Sequence, residues 1–250
     1  MSDTPATPPA GAPDDLFAKT AAPGAPFRWS PQARPMRGLH AWLRGSLIFY
    51  AVMEGLQIPV SAFELWSYEA ASGWNESQVE AYSLVSSMGS VGISGIGVIV
   101  AIVAAVMFLR FLYRGLKNLH LSNANGELMG PGWAVAYCFI PIVSLWKPHQ
   151  AMRQVWRSSH DPVRAFASPP GTMWAWWLPY LFSNWIGNLS FRLSIQAGGF
   201  GEITDPDLYM STYWLDIAGA VLMIVSIIFL IPIVRQITTA QDRLADASAF

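Results

Sequence analysis

The stretch GPGWAVAYCFIPIVSLWKPHQAMRQVWRSS, residues 130–159, decides how the rest of the chain is read. Trp133 to Trp146 is apolar enough to enter a bilayer but spans fourteen residues, against the ~20 a crossing helix needs. Pro131 and Pro148 flank the run, and Pro141 interrupts it, removing a backbone donor where hydrocarbon supplies no substitute. These features predict a Trp/Pro-rich re-entrant or interfacial segment over 131–157. In its second half Met152, Val155 and Trp156 oppose Arg153, Gln154 and Arg157, the pattern of a helix lying in the headgroup plane.

Four long hydrophobic segments frame this stretch, with spans expected at about 45–66, 91–113, 173–193 and 211–233. Of 250 residues, 53% are hydrophobic and 12% charged, where soluble domains carry about a quarter charged. The mean hydropathy is +0.34. The expected fold class is therefore an all-α membrane protein: four transmembrane helices around the broken segment, in a helical domain over 38–240. A disordered, Pro/Ala-rich tail is expected over 1–37, which holds eight of the eighteen prolines, and a polar tail over 241–250. Within the first tail, Asp14 to Lys19 reads either as solvated chain or as a partner-binding motif.

Local signals mark the element ends. Asn75 followed by Gln78 predicts a capping box, so a second helix starts outside the membrane and runs on to Leu121. Its first half is dense in small residues from Ser86 to Gly97, which predicts close helix packing. Asn123 to Gly126 predicts a turn. Thr172 is the expected cap of the third span, and Asp205-Pro206 starts the last. Trp174, Trp176 and Trp177 belong to an aromatic belt.

Charge orients the frame. With both termini in the cytoplasm and four spans, every Lys and Arg except Arg192 falls on the cytoplasmic side, and both outer loops are acidic. A net charge of −1 excludes a nucleic-acid partner. The single Cys138 lies in an apolar run, where packing is the expected role.

Polarity at mid-membrane depth is the main chemical signal. Tyr180, Asn184, Asn188 and Arg192 recur every fourth residue, and Glu54 and Gln57 lie at similar depth. A charge at the bilayer centre costs roughly 2.5–3.5 kcal/mol on insertion scales. Glu54 is therefore expected to face the bundle and meet Asn184 or Asn188, with Glu64 pairing Arg192 near the outer surface. Two readings stand: a proton or solute site, and helix–helix hydrogen bonding that fixes packing. Arg110, Arg114, Lys117, Lys147, Arg153 and Arg157 are expected to form a cationic cytoplasmic face for anionic lipid or a phosphometabolite.

No HExxH, GxSxG or Walker pattern is present, and His40, His120, His149 and His160 lack metal spacing. No enzyme activity and no cofactor are expected. Cys138 with His149 is the one nucleophile–base pair a folded-back segment brings near, and it lacks a third partner.

Arg110, Asn118-Leu119, Trp133, Phe139-Ile140-Pro141, Leu145-Trp146-Lys147-Pro148, Met152, Trp156-Arg157-Ser158, Trp176-Trp177, Asn184 and Asn188 carry a likeness. In them the chain resembles the bacterial membrane-protein family known as the domain of unknown function numbered 4328. The resemblance covers about 107–193 with the final span. It implies a multi-pass protein of the bacterial inner membrane and brings no activity, cofactor or catalytic residue. The expected function is a non-enzymatic membrane protein acting through lipids, a protein partner or a second copy. The alternative is a small transporter, channel or sensor with a midplane site, and the distant one an intramembrane enzyme.

Overall fold

A computed structural model describes residues 27–86, 92–124, 128–198 and 204–248. Among them there are helices and no strands: α1 (Arg37–Ala70), α2 (Glu76–Ser86), α3 (Gly92–Leu121), α4 (Pro131–Ala136), α5 (Lys147–His160), α6 (Thr172–Gln196) and α7 (Pro206–Ala247). Three of these, α1, α3 and α7, are long and apolar enough to cross a membrane. The 25 residues of α6 suffice in length, but its indoles, amides and Arg192 hold its mean hydropathy lower.

α7 is the central element, packed on α6, α1 and α5, and α1 packs in turn on α3. Two ends can be told apart by charge. At the basic end the start of α1 meets the finish of α7 through Arg37, whose Nε lies 2.8 Å from Asp242 Oδ2. At the acidic end Tyr68 of α1 donates to Asp207 of α7 at 3.3 Å. α6 begins beside α5, at the basic end, and its Ser190 meets Asp216 of α7 near the acidic one. Exposed Trp42 and Trp66 stand at opposite ends of α1. At 1.5 Å per residue they are about 36 Å apart, a little more than a hydrocarbon core of ~30 Å.

The buried core is concentrated at the basic end. Leu39, Leu43 and Leu47 of α1, Phe111, Leu112 and Leu116 of α3, Met152 and Val155 of α5, and Ile233 and Ile237 of α7 are all buried in one cluster. Along the rest of α3, Ile96, Ile99, Ile102 and Val106 are exposed, as a face in contact with lipid would be. Gly115 permits the close approach of α5 to α3: a Cβ there would lie 3.1 Å from Val155 Cγ1.

Several sequence expectations hold in detail. Asn75 and Gln78 form the reciprocal capping box, each side chain accepting the other's backbone N–H at 3.0 Å. Asp205 caps α7 by accepting from Leu208 N at 3.0 Å. Asn123 adopts φ 52°, a left-handed stop just after α3 that Asn tolerates.

Others are corrected. Residues 27–36, expected within the disordered tail, form a strap on the helices. Ser30 N donates to Ser122 Oγ at 3.1 Å, and Met36 is fully buried. The remainder of that expectation, with Asp14 to Lys19, lies outside the described residues. The polar tail expected over 241–250 is helical to Ala247, because Gln241 is buried and Asp242 and Asp246 face Arg37. The helix expected from Asn75 onward to Leu121 is described as two, α2 and α3, with 87–91 of the small-residue run outside the described residues. Thr172 is the first residue of α6, and Gly171 before it offers no capping side chain. Finally, the apolar face of α5 is turned inward: Ala151, Met152 and Val155 have no exposed surface and pack against α3 and α7. An amphipathic helix meets whichever apolar surface is nearest, and here that is protein.

Candidate functional site: a polar cleft within the bundle

The middle of the bundle opens into a cleft of about 490 Å³ bordered by α1, α3, α6 and α7. It brings together Glu54 and Gln57 from α1 with Asn184 and Asn188 from α6. The two asparagines are exposed to the cleft, and Asn184 Nδ2 also donates to Tyr180 O in its own helix at 2.7 Å. Across the cleft Gln57 Oε1 accepts from Ser94 Oγ of α3 at 3.4 Å.

One acidic residue of the cleft escaped the sequence reading. Asp216 of α7 lines the same cleft and accepts a hydrogen bond from Ser190 Oγ of α6 at 2.6 Å. The signal was present, since Asp216 is an acidic residue inside an apolar run. It lies five residues into the span expected at about 211–233, short of mid-membrane depth. Among the described residues no Arg, Lys or His contributes to the lining.

The fourfold spacing on α6 is only partly a stripe. A helix advances about 100° per residue, so each step of four drifts by about 40° and three steps by about 120°. Asn184 and Asn188, in the centre, reach the cleft. Tyr180 instead stacks on Trp177 with ring centroids 5.3 Å apart, outside the lining, and Arg192 is exposed.

The expected Glu64–Arg192 pair does not form. Glu64 is 1% exposed and accepts from the hydroxyls of Tyr82 and, at 2.6 Å, Ser86, both on α2. Two hydroxyls satisfy the carboxylate locally, and it anchors α2 across the acidic end of α1.

The central stretch is a chain of short turns. α4 passes into a 3-10 turn at Tyr137–Phe139, the chain bends at Pro141, a second 3-10 turn spans Val143–Leu145, and α5 follows. Freed backbone groups find partners: Ser144 N donates to Ile140 O at 2.8 Å, and Trp177 Nε1 to Leu145 O at 3.0 Å. The tip carries Phe139 and Ile142, 71% and 70% exposed. Of the motif residues, Trp133 packs against Tyr137 with its ring tilted, Trp146 is exposed, Pro148 is buried at the start of α5, and Trp156 Nε1 donates to Gln236 Oε1 at 3.1 Å. Cys138 donates to Ala134 O at 3.5 Å, and the His149 ring lies tilted against Trp174, so no hydrogen bond joins them.

The six cations expected on one face divide. Arg110, Arg114 and Lys117 share a groove, joined there by Arg34 from the strap. Lys147 donates to Gln150 on α5 itself at 3.1 Å, and Arg153 and Arg157 are half-buried on that helix. Among the described residues no three His, Cys, Asp or Glu side chains gather to hold a metal ion.

Helices alone among the described residues, three of them fit to cross a bilayer, with a polar cleft between them, define a multi-helix membrane protein. Residues 79–239, more than half of the chain, match the family described as Domain of unknown function (DUF4328), and the protein belongs to that family. The match reaches from α2 almost to the end of α7, further than the central likeness alone. No curated protein and no solved structure matches the chain.

Proposed function

We propose that the protein is a small transporter or sensor of the bacterial inner membrane, taking a proton or a small cationic solute into its central cleft. The observation that carries this reading is the pair of carboxyl groups, Glu54 and Asp216, lining one polar cleft with, among the described residues, no cationic side chain in its walls. An ionised carboxylate at the bilayer centre costs roughly 2.5–3.5 kcal/mol on insertion scales. Interhelical hydrogen bonds return only about 0.6 kcal/mol each, so packing alone is a poor reason to keep both. A volume near 490 Å³ falls in the range that small-molecule sites occupy.

The proposal includes a topology of four spans, with α6 as the fourth and both termini cytoplasmic. The course of α6 from the basic to the acidic end, and the start of α7 at the acidic end, support it. The exposed apolar tip at Phe139 and Ile142 supports re-entry of the central stretch from the cytoplasmic face.

Proteoliposomes loaded with a pH-sensitive dye provide the test, with proton and potassium gradients imposed in turn. Dissipation by the wild type is expected to vanish in Glu54→Gln and Asp216→Asn while the melting temperature holds within a few degrees. Variants that conduct like the wild type, or that only melt earlier, would return these residues to a packing role.

A further inference from the structure

A second concavity lies at the basic end, apart from the cleft and not needed by its chemistry. It is a groove of about 440 Å³ between the last turns of α3, the strap and α4. Arg34, Arg110, Arg114 and Lys117 line it, with Leu109 and Val135 among its apolar walls and, among the described residues, no carboxylate in the lining. Among the described residues none of the four cations enters an ion pair. The recorded contacts are weak ones: Arg114 Nη1 lies 3.5 Å from Pro35 O, and Lys117 Nζ lies 5.8 Å from the Tyr113 ring centroid.

The fourth charge is brought in by construction. Asn118, 2% exposed, accepts from Arg34 N at 3.0 Å and donates to Arg34 O at 2.9 Å, gripping both backbone groups of that residue. Its Nδ2 also donates to the buried Gln241 Oε1 at 3.1 Å. A buried side chain thus holds an arginine at the rim of a groove already lined by three cations. Like charges so gathered repel unless an anion sits among them.

We propose that this groove binds a phosphate group, carried by an anionic membrane lipid or by a water-soluble phosphate compound. Guanidinium groups match phosphate oxygens in paired hydrogen bonds. The groove follows directly on the lipid-exposed part of α3, the depth at which headgroups lie. Its apolar wall at Leu109 and Val135 suits the first carbons of an acyl chain, which favours the lipid.

The test uses the full chain in neutral detergent, titrated separately with phosphatidylglycerol, phosphatidylcholine and inorganic phosphate, and followed by native mass spectrometry and melting. Wild type is expected to retain phosphatidylglycerol over phosphatidylcholine. In the double variant Arg110→Gln/Lys117→Gln the affinity should fall roughly 30-fold, since each juxtamembrane cation contributes about 1 kcal/mol and about 1.4 kcal/mol is tenfold. Arg34→Gln should weaken binding from the opposite wall, and Arg192→Gln, at the acidic end, should leave it unchanged. The same dependence with inorganic phosphate in place of the lipid supports the site and assigns it a soluble ligand. Equal binding by the groove variants and Arg192→Gln, or no preference of the wild type for any phosphate probe over phosphatidylcholine, overturns the proposal.

Discussion

His149 is 4% exposed, its ring centroid 4.2 Å from that of Trp174, and among the described residues its Nε2 has no hydrogen-bond partner. Burial, and after it the positive charge of Arg153, push its pKa down to about 4. In the unfolded chain an imidazole takes up its proton near pH 6.5. Between those values the unfolded state holds more protons, so stability falls as pH falls from about 6.5 to about 4, and the loss levels off below. Melting curves across that range should show the slope in wild type and a flatter one in His149→Gln. An unchanged slope in the variant would place the titration elsewhere. The same scale explains why Glu64 and Asp216 surprised. A carboxylate is satisfied by whatever donor lies nearest, and for Glu64 hydroxyls one helix away displaced the distant guanidinium.

At the scale of elements, α7 does most of the organising. Its 42 residues extend about 63 Å, twice a hydrocarbon core, so its last turns stand clear of the apolar span. There Gln241 joins three elements: Nε2 donates to Gly115 O on α3 at 3.2 Å and to Ser159 Oγ on α5 at 3.0 Å, while Oε1 accepts from Asn118. Replacing it by leucine removes three buried hydrogen bonds together. Gln241→Leu is expected to cost about 2–3 kcal/mol, read as a lower melting temperature, with faster proteolysis of the strap. A variant that melts with the wild type would show that the junction is held by apolar packing instead. α5 teaches the complementary lesson. Its periodicity correctly predicts an amphipathic helix, yet says nothing of the surface it meets.

For the whole molecule, α6 sets the number of crossings. In a chain lacking Cys138, single cysteines at Ser77 of α2 and Arg243 of α7 report the two ends to an impermeant maleimide on intact cells. Four crossings predict labelling at Ser77 and none at Arg243 before lysis. With three, omitting α6, Arg243 would label from outside as well.

The helical class, the membrane habit, the caps at Asn75 and Asp205 and the break at Pro141 were legible in the sequence. Each depends on spacing within a single segment: hydrophobic length, a side chain reaching its own helix end, a missing backbone donor. Glu54, Gln57, Asn184 and Asn188 were legible as costly residues for the same reason, since depth along a helix follows from residue count. Which helices face one another does not follow from such counting. Only the packing placed Asp216 opposite Glu54, turned the apolar face of α5 onto protein, and drew Arg34 beside Arg110 through Asn118. These contacts join residues far apart in the chain, and rotation about each helix axis is set by the fit of all its neighbours at once.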